Sequence, residues 1–341
     1  MSTAQETDRA RGALYGLAIG DALGMPTQLL SRRQVTERWG PLLTGFEPAP
    51  PGHPIAAGMP AGAVTDDTEQ AVLLARLLLK GPLDPRELAS ALVSWEREME
   101  ARGSLDLLGP STRRAVNAVA TGTPPQESGS SGDTNGAAMR ITPVGIATAA
   151  GDLTALVDAV QQASLVTHNT SVALAGAAAV AAAVSAGLAG AGRGGASTTA
   201  ASRVAAVTEF AVAAARLGAQ RGHWVAGADV AARIGWATGL VRGLPAADAV
   251  QVICSLVGTS LATQESVPAA FAVLAAVPDD PWRACLLAAS LGGDSDTIAA
   301  MAGAIGGAIH GLSAFPGQAV RVIDAHGFAL AELADSLLAR R

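Results

Sequence analysis

Aromatic side chains are scarce in this sequence. Five Trp, five Phe and one Tyr make up 3% of 341 residues, although hydrophobic residues reach 50%. A core so poor in rings must be built from Ala, Leu, Val and Gly, which favours closely approaching helices. Cysteine is scarce as well. Cys254 and Cys285 lie far apart and form no CxxC pair; they fit reduced, structural thiols, so a cytoplasmic location is expected. Basic charge is in deficit, with 23 Lys and Arg against 29 Asp and Glu and a formal net charge of −6. Non-specific nucleic-acid binding is therefore not expected. Met1 to Asp8 contain no apolar run, so no signal peptide is expected. Charge is missing altogether from residues 171–192, but these are mostly Ala and Gly. Ala is near neutral on transfer scales, so a buried helix is expected there and no membrane span.

What is present is a chain long enough for a full core, read as one domain over residues 1–341. Its chemistry gathers in acidic turns. Gly292-Gly293-Asp294-Ser295-Asp296-Thr297 precedes a run, residues 298–309, without a charge. A helix with nothing to show to water must be buried. The two Asp then stand at its positive N-terminal end. Hard oxygen donors there can hold a divalent cation; as single residues they can equally be helix caps. Thr65-Asp66-Asp67-Thr68-Glu69-Gln70 repeats the logic. Asp66 and Glu69 make a capping-box pattern, yet Thr65, Asp66 and Asp67 together exceed what one cap needs.

In chain order, residues 8–24 read as a helix, with Ala10, Ala13, Leu14, Leu17 and Ala18 in one stripe. Asp21 continues that stripe. It either needs a partner or metal in the core, or lies at the helix end near water and caps a neighbour. Residues 25–64 hold seven prolines and read as mostly loop. Helical spacing resumes at residues 71–78 and ends at Gly81-Pro82. Two more helices follow around residues 88–99 and 112–120, with a turn at 102–110. The Gly/Ser/Pro-rich stretch 122–136 suits backbone donation to a phosphate, or is a plain linker. Helix then follows helix over 153–215, 226–241, 246–262, 267–276 and 281–290, with residues 189–201 as a surface loop. His168, just before the uncharged helix, either meets a ligand phosphate or sugar, or is a cap or packed side chain. With no fixed repeat and no alternating strand pattern, the expected class is all-α.

Four segments now stand in order: Gly20-Asp21-Ala22-Leu23-Gly24, Thr65-Asp66-Asp67-Thr68, Asn135-Gly136-Ala137-Ala138-Met139-Arg140, and Gly293-Asp294-Ser295-Asp296-Thr297. Each is weak alone. Together, with His168 between the third and fourth, the chain resembles the ADP-ribosylglycohydrolase family over about residues 11–315. The resemblance implies an orthogonal all-α multi-helix bundle with two Mg²⁺ ions, or Mn²⁺, in a central cleft. It carries the metal ligands onto Thr65, Asp66, Asp67, Asp294, Asp296 and Thr297. It carries the diphosphate and ribose contacts onto Ser131, Gly132, Asn135, Gly136 and His168. The implied reaction is hydrolysis of a glycosidic bond in an ADP-ribosylated protein or ADP-ribosyl metabolite. Two hard cations held by oxygen ligands would clamp ribose hydroxyls and make a water more acidic. That water attacks the anomeric carbon through an oxocarbenium-like transition state.

One position departs from the family. Where many relatives carry a Glu, this sequence has Gln28, and an amide cannot act as a general base. The base then falls to Asp133 or to a metal-ligating carboxylate among Asp66, Asp67 and Asp296, or the substrate differs. Two alternatives stand beside the ADP-ribosyl hydrolase. One is a hydrolase of small N-ribosides. The other is a non-catalytic relative that keeps the fold, against which the six retained ligand positions argue.

Overall fold

The computed structural model describes residues 3–105, 108–191 and 199–341. Helix is the regular secondary structure of the described residues, joined by loops, with two isolated β-bridges, Thr134 to Ala262 and Thr170 to His223. The first part runs α1 (Ala4–Gly24), α2 (Arg32–Trp39), α3 (Asp66–Lys80), α4 (Pro85–Ala101) and α5 (Pro110–Ala120). Three short turns of helix follow, α6 (Pro125–Ser128), α7 (Gly136–Met139) and α8 (Thr142–Ala147), and then α9 (Leu153–Ser164) and α10 (Ser171–Ala189). The last part is α11 (Ala200–Gly218), α12 (Val230–Val241), α13 (Ala246–Val252), α14 (Thr263–Ala276), α15 (Pro281–Ala289), α16 (Ser295–His310), α17 (Gly317–Asp324) and α18 (Leu330–Leu338).

Helices α1 and α16 form the axis of the molecule, and glycine is the reason they meet. Gly12, Gly16, Gly20 and Gly24 recur every fourth residue, which places them on one face of α1. A Cβ on Gly20 would lie 2.0 Å from the Ala299 carbonyl oxygen, and one on Gly16 would lie 2.1 Å from that of Gly303. From the other side, a Cβ on Gly307 would lie 1.9 Å from the Gly12 carbonyl oxygen. The two backbones touch, so no side chain fits between them. Gly24 extends the seam to the end of α1, where a Cβ would lie 2.4 Å from Asp296 Cα. The seam thus brings the last turn of α1 against the acidic start of α16.

The stripe of Ala10, Ala13, Leu14, Leu17 and Ala18 is buried as expected, but α1 is buried on every side along Ala13 to Gly24. Residues 171–189 form α10, nearly all of it inside the protein. It is the one helix among the described residues long and apolar enough to cross a membrane.

Two expectations need correction, and one short helix was not foreseen. Residues 25–64 are mostly loop, as expected, but contain α2, capped reciprocally by Ser31 and Gln34. That S-x-x-Q signature stands in the sequence, and the prolines on either side leave room for eight residues. Asp66 and Glu69 form no capping box. Thr65 is the N-cap of α3, and Glu69 instead accepts the indole N–H of Trp95 at 2.5 Å. The span 246–262 is not one helix: α13 ends at Val252, a π-turn continues over Ile253–Val257, and Gly258 breaks it with a positive φ. Helix α14 then begins at Thr263 and carries Pro268 inside it. Part of the expected turn (106–107) and part of the expected loop (192–198) lie outside the described residues.

Candidate active site

Asp21 is the first acid the fold places. It is fully buried on α1 and accepts four donors from the start of α3. Thr65 donates its N–H at 3.0 Å and its hydroxyl at 2.8 Å. Thr68 donates its N–H at 3.1 Å and its hydroxyl at 2.5 Å. Both readings of Asp21 therefore hold in part: it is buried with partners, and it caps a neighbouring helix, but away from water. Burial pushes its pKa up to about 6, against the pull of the Thr68 and Thr65 bonds.

That clamp aims α3 at α16. Asp67 is fully buried, and its Oδ2 accepts the hydroxyls of Thr65 at 3.3 Å and Thr297 at 3.2 Å. Two motifs 230 residues apart in sequence thus share one carboxylate oxygen. Its other oxygen, Oδ1, has no hydrogen-bond partner. Burial raises the Asp67 pKa well above the carboxylate range, and Asp296, Asp21, Asp66 and Asp294 raise it further. Asp294 occupies the N-cap position of α16 but makes no side-chain cap. It turns instead to the third motif, where Asn135 Nδ2 donates to Asp294 Oδ2 at 2.5 Å and to Ser266 Oγ at 2.9 Å. Burial lifts Asp294 to about 6, opposed by the Asn135 and Thr297 bonds. Asp296 and Thr297 are buried beside it. Asp66 keeps some exposure and accepts Gln70 Nε2 at 2.8 Å.

Five carboxylates thus converge from three helices. Like charges this close, out of water, call for a cation or for protons. Among the described residues no three His, Cys, Asp or Glu side chains make a ready ion-holding group by themselves. The donor set here mixes carboxylates with the hydroxyls of Thr65 and Thr297. A cavity of about 560 Å³ reaches this centre, with Thr65 and Asp66 on its wall beside Met59, Glu69, Trp95 and Met99. A larger one, about 760 Å³, lies between α11, α12 and α14 and contains no motif residue.

Gln28 is buried on the segment that links α1 to the start of α16. Leu29 N–H donates to the Gly293 carbonyl at 2.6 Å, and Gly293 N–H returns a bond to Leu30 at 2.8 Å. Thr27 bonds Ser295 at 2.8 Å. The Gln28 carbonyl is taken by His53 Nε2 at 2.8 Å, while its own Nε2 has no partner.

The Gly-rich loop is placed differently from expectation at several residues. Gly132 is buried against the 164–170 segment, where a Cβ would lie 2.0 Å from the Thr167 carbonyl oxygen. Its N–H donates to Gly129 at 3.2 Å, and the Asn135 N–H donates to Leu261 at 3.0 Å. Those two amides are spent on the protein and do not cradle a phosphate. Ser131 is exposed, and its carbonyl accepts Arg114 Nη2 at 2.9 Å. Asp133 is exposed, and its carbonyl accepts the Thr263 hydroxyl at 2.8 Å. His168 is a packed side chain. It is fully buried, with Nε2 at 3.0 Å from the Thr134 hydroxyl and Nδ1 at 2.8 Å from that of Thr167. It lies beneath Gly136, whose Cβ would stand 2.8 Å from His168 Cε1. Burial, then Arg140 and Arg114, hold its pKa well below the ordinary value, so it is neutral and supports the loop from behind. Thr170, not His168, caps α10.

Gln70, Thr167 and Ser266 were not legible as site residues, and Thr68 stood out only as part of its motif. Thr68 reaches Asp21, Ser266 reaches Asn135, and Gln70 and Thr167 reach Arg140; a lone Thr, Ser or Gln carries no signal of such distant partners.

The sequence matches the family model described as ADP-ribosylglycohydrolase over residues 1–341. A protein of Escherichia coli (strain K12), named Uncharacterized protein YegU, is 36% identical over 312 residues, covering 91% of this chain and 90% of that protein. The ADP-ribosyl-[dinitrogen reductase] glycohydrolase of Rhodospirillum rubrum is 33% identical over 147 residues, 41% of this chain and 45% of that enzyme. The ADP-ribosylarginine hydrolase Tri1 of Pseudomonas putida (strain GB-1) is 38% identical over 117 residues, 33% of this chain and 28% of that enzyme. Among solved structures, a chain of an ADP-ribosylglycohydrolase-related protein complex aligns with a TM-score of 0.64 at 25% identity, covering 99% of both chains.

Proposed function

The chain belongs to the ADP-ribosylglycohydrolase family of glycosyl hydrolases, and from that premise we propose that it hydrolyses the glycosidic bond of an ADP-ribosyl compound at the Asp66/Asp67/Asp294/Asp296 centre, with divalent cations as cofactor. The observation that carries this reading is the Asp67 carboxylate. One of its oxygens joins the α3 and α16 motifs through Thr65 and Thr297, and the other has no hydrogen-bond partner, deep inside the protein.

The donor set fits Mg²⁺ or Mn²⁺. It is all oxygen and negatively charged, with no thiolate or imidazole, which suits hard cations. Thr65, Asp66, Asp67, Asp294, Asp296 and Thr297 would hold two ions. When bound, they would supply positive charge and Lewis acidity to the ribose hydroxyls. The chain's own residues do the remainder. Asn135 orients Asp294 by its amide. Asp66, on the cavity wall and steadied by Gln70, takes the proton of the attacking water. The amide of Gln28 cannot take a proton; its Nε2 donates to the substrate or to that water and positions it. The cavity bounded by Met59, Trp95 and Met99 receives the part of the substrate beyond the ribose.

The relatives named for ADP-ribosyl-[dinitrogen reductase] and ADP-ribosylarginine favour an ADP-ribosylated side chain as the substrate. Gln28 at the family's Glu position favours a second reading, a free ADP-ribosyl metabolite or nucleoside. Turnover of ADP-ribosyl-arginine beside simple nucleosides, with and without Mg²⁺, decides between them. Mg²⁺-dependent release from the first alone supports the primary reading. Release from nucleosides alone supports the second. Turnover that survives chelation contradicts the metal assignment.

A further inference from the structure

Arg140 is the bulkiest side chain with almost no exposure, 1%. A guanidinium in a core ordinarily meets a carboxylate, because an uncompensated buried charge is costly. This one bonds two neutral groups. Nη1 donates to Gln70 Oε1 at 2.8 Å, and Nη2 donates to Thr167 Oγ1 at 2.5 Å. Gln70 is itself fully buried and passes the contact on, its Nε2 donating to Asp66 Oδ2 at 2.8 Å. Thr167 passes it the other way, to His168 and then to Thr134 in the Gly-rich loop. Burial lowers the Arg140 pKa to about 10, and Asp66 is the acid that opposes that fall.

We propose that Arg140 is a positioning residue which, through the Gln70 amide, holds the Asp66 carboxylate in the orientation that receives the cation. The inference rests on the metal reading above. An amide between two ionic groups has one orientation that satisfies both. Its oxygen must face the guanidinium and its NH₂ the carboxylate. Arg140 therefore fixes the Gln70 rotamer, and Gln70 fixes Asp66 Oδ2. Both bonds have an ionised partner, the stronger class of hydrogen bond. A direct Arg140–Asp66 ion pair would neutralise the acid and compete with the cation. An interposed amide orients the carboxylate and leaves its charge in place. Partners of this kind behind a metal ligand typically govern affinity by about 10–100-fold.

The test is calorimetric titration of MgCl₂ into the metal-free full-length protein, with thermal melting of the metal-free state as the measure of fold. Gln70→Met keeps the volume and removes the link. The expected result is Mg²⁺ affinity weakened by about ten-fold or more, while the variant still melts cooperatively without metal. Wild-type affinity in a folded Gln70→Met overturns the proposal. Arg140→Lys keeps the charge but not the two-armed fork, and should weaken Mg²⁺ binding in the same direction. It decides the matter by the same criterion if Gln70→Met does not fold. The wild type separates the two readings. If it takes up no Mg²⁺, the metal assignment itself falls and this inference with it. If it binds Mg²⁺ and both variants bind equally well, only the role of Arg140 is lost.

Discussion

Gln28, Asp67 and His168 each carry a different kind of prediction. Gln28→Glu places a carboxylate beside the start of α16. General-base assistance is worth about 10²–10⁴-fold, so the rate on ADP-ribosyl-arginine should change by a measurable factor and preference should move toward ADP-ribosylated side chains. An unchanged rate and substrate profile would put Gln28 outside the reacting groups. Asp67→Asn removes an ionisable group from a centre where burial and four other acids oppose its charge. The metal-free variant should melt at or above the wild-type temperature, yet lose any stabilisation by Mg²⁺ and its turnover. A lower melting temperature in the absence of metal would mean that Asp67 is not repelled as described. His168→Ala removes both ring contacts at once. Leaving the buried Thr167 hydroxyl without its imidazole partner costs about 1–3 kcal/mol, so the melt should move down while the pH profile of activity keeps its shape, because burial, Arg140 and Arg114 all disfavour the charged ring. At this scale the acidic residues stood out in the sequence because two clusters, each opening a helix, hold more oxygen side chains than caps require. The partners were not legible: Thr68 on Asp21, Thr297 on Asp67 and Arg140 on Gln70 exist only once the helices pack.

Among the elements, the α1–α16 seam decides whether there is a site at all. Gly20→Ala sets a methyl 2.0 Å from the Ala299 carbonyl, and neither backbone can yield without parting the helices. Overpacking ordinarily costs about 1–3 kcal/mol and more where backbone must move. This variant should therefore melt well below wild type or fail to accumulate as soluble protein, whereas Ala at solvent-facing Gly235 inside α12, with nothing within 4 Å, should melt at or slightly above wild type, because Ala is the better helix former. Equal melts for the two would contradict the seam. The sequence advertised α1 through its Ala/Leu stripe and α16 through its missing charge, and the low aromatic content pointed to close helix packing. It did not say which pair of helices would touch, because a four-residue glycine spacing is also compatible with a flexible segment. Helix α2 was hidden by neighbouring prolines, and the break after Val252 by an apolar run that carries no stop signal until Gly258.

For the whole molecule, the buried acids couple stability to pH and to cations. Asp21 and Asp294 both have folded-state pKa values of about 6, above the ordinary carboxylate value. The folded protein therefore holds these protons more tightly than the unfolded chain does. Their contribution is present at low pH and is lost as pH rises through about 6. Without divalent ions, the melting temperature should rise as pH falls from about 7 to about 5. With Mg²⁺ present the dependence should flatten, because cation and proton compete for the Asp294 oxygens. Melts that are pH-independent without metal would mean that these acids are not strained at neutral pH.

The central claim is that the acids of α3 and α16 form one divalent-cation centre. Calorimetric titration of MgCl₂ into metal-free wild-type protein, with Asp296→Ala measured alongside, tests it most directly. The wild type should take up two ions per chain saturably. Uptake should be lost or sharply weakened in Asp296→Ala, whose metal-free melt stays cooperative. No saturable heat with Mg²⁺ or Mn²⁺ in the wild type, or equal binding by the two proteins, would contradict it.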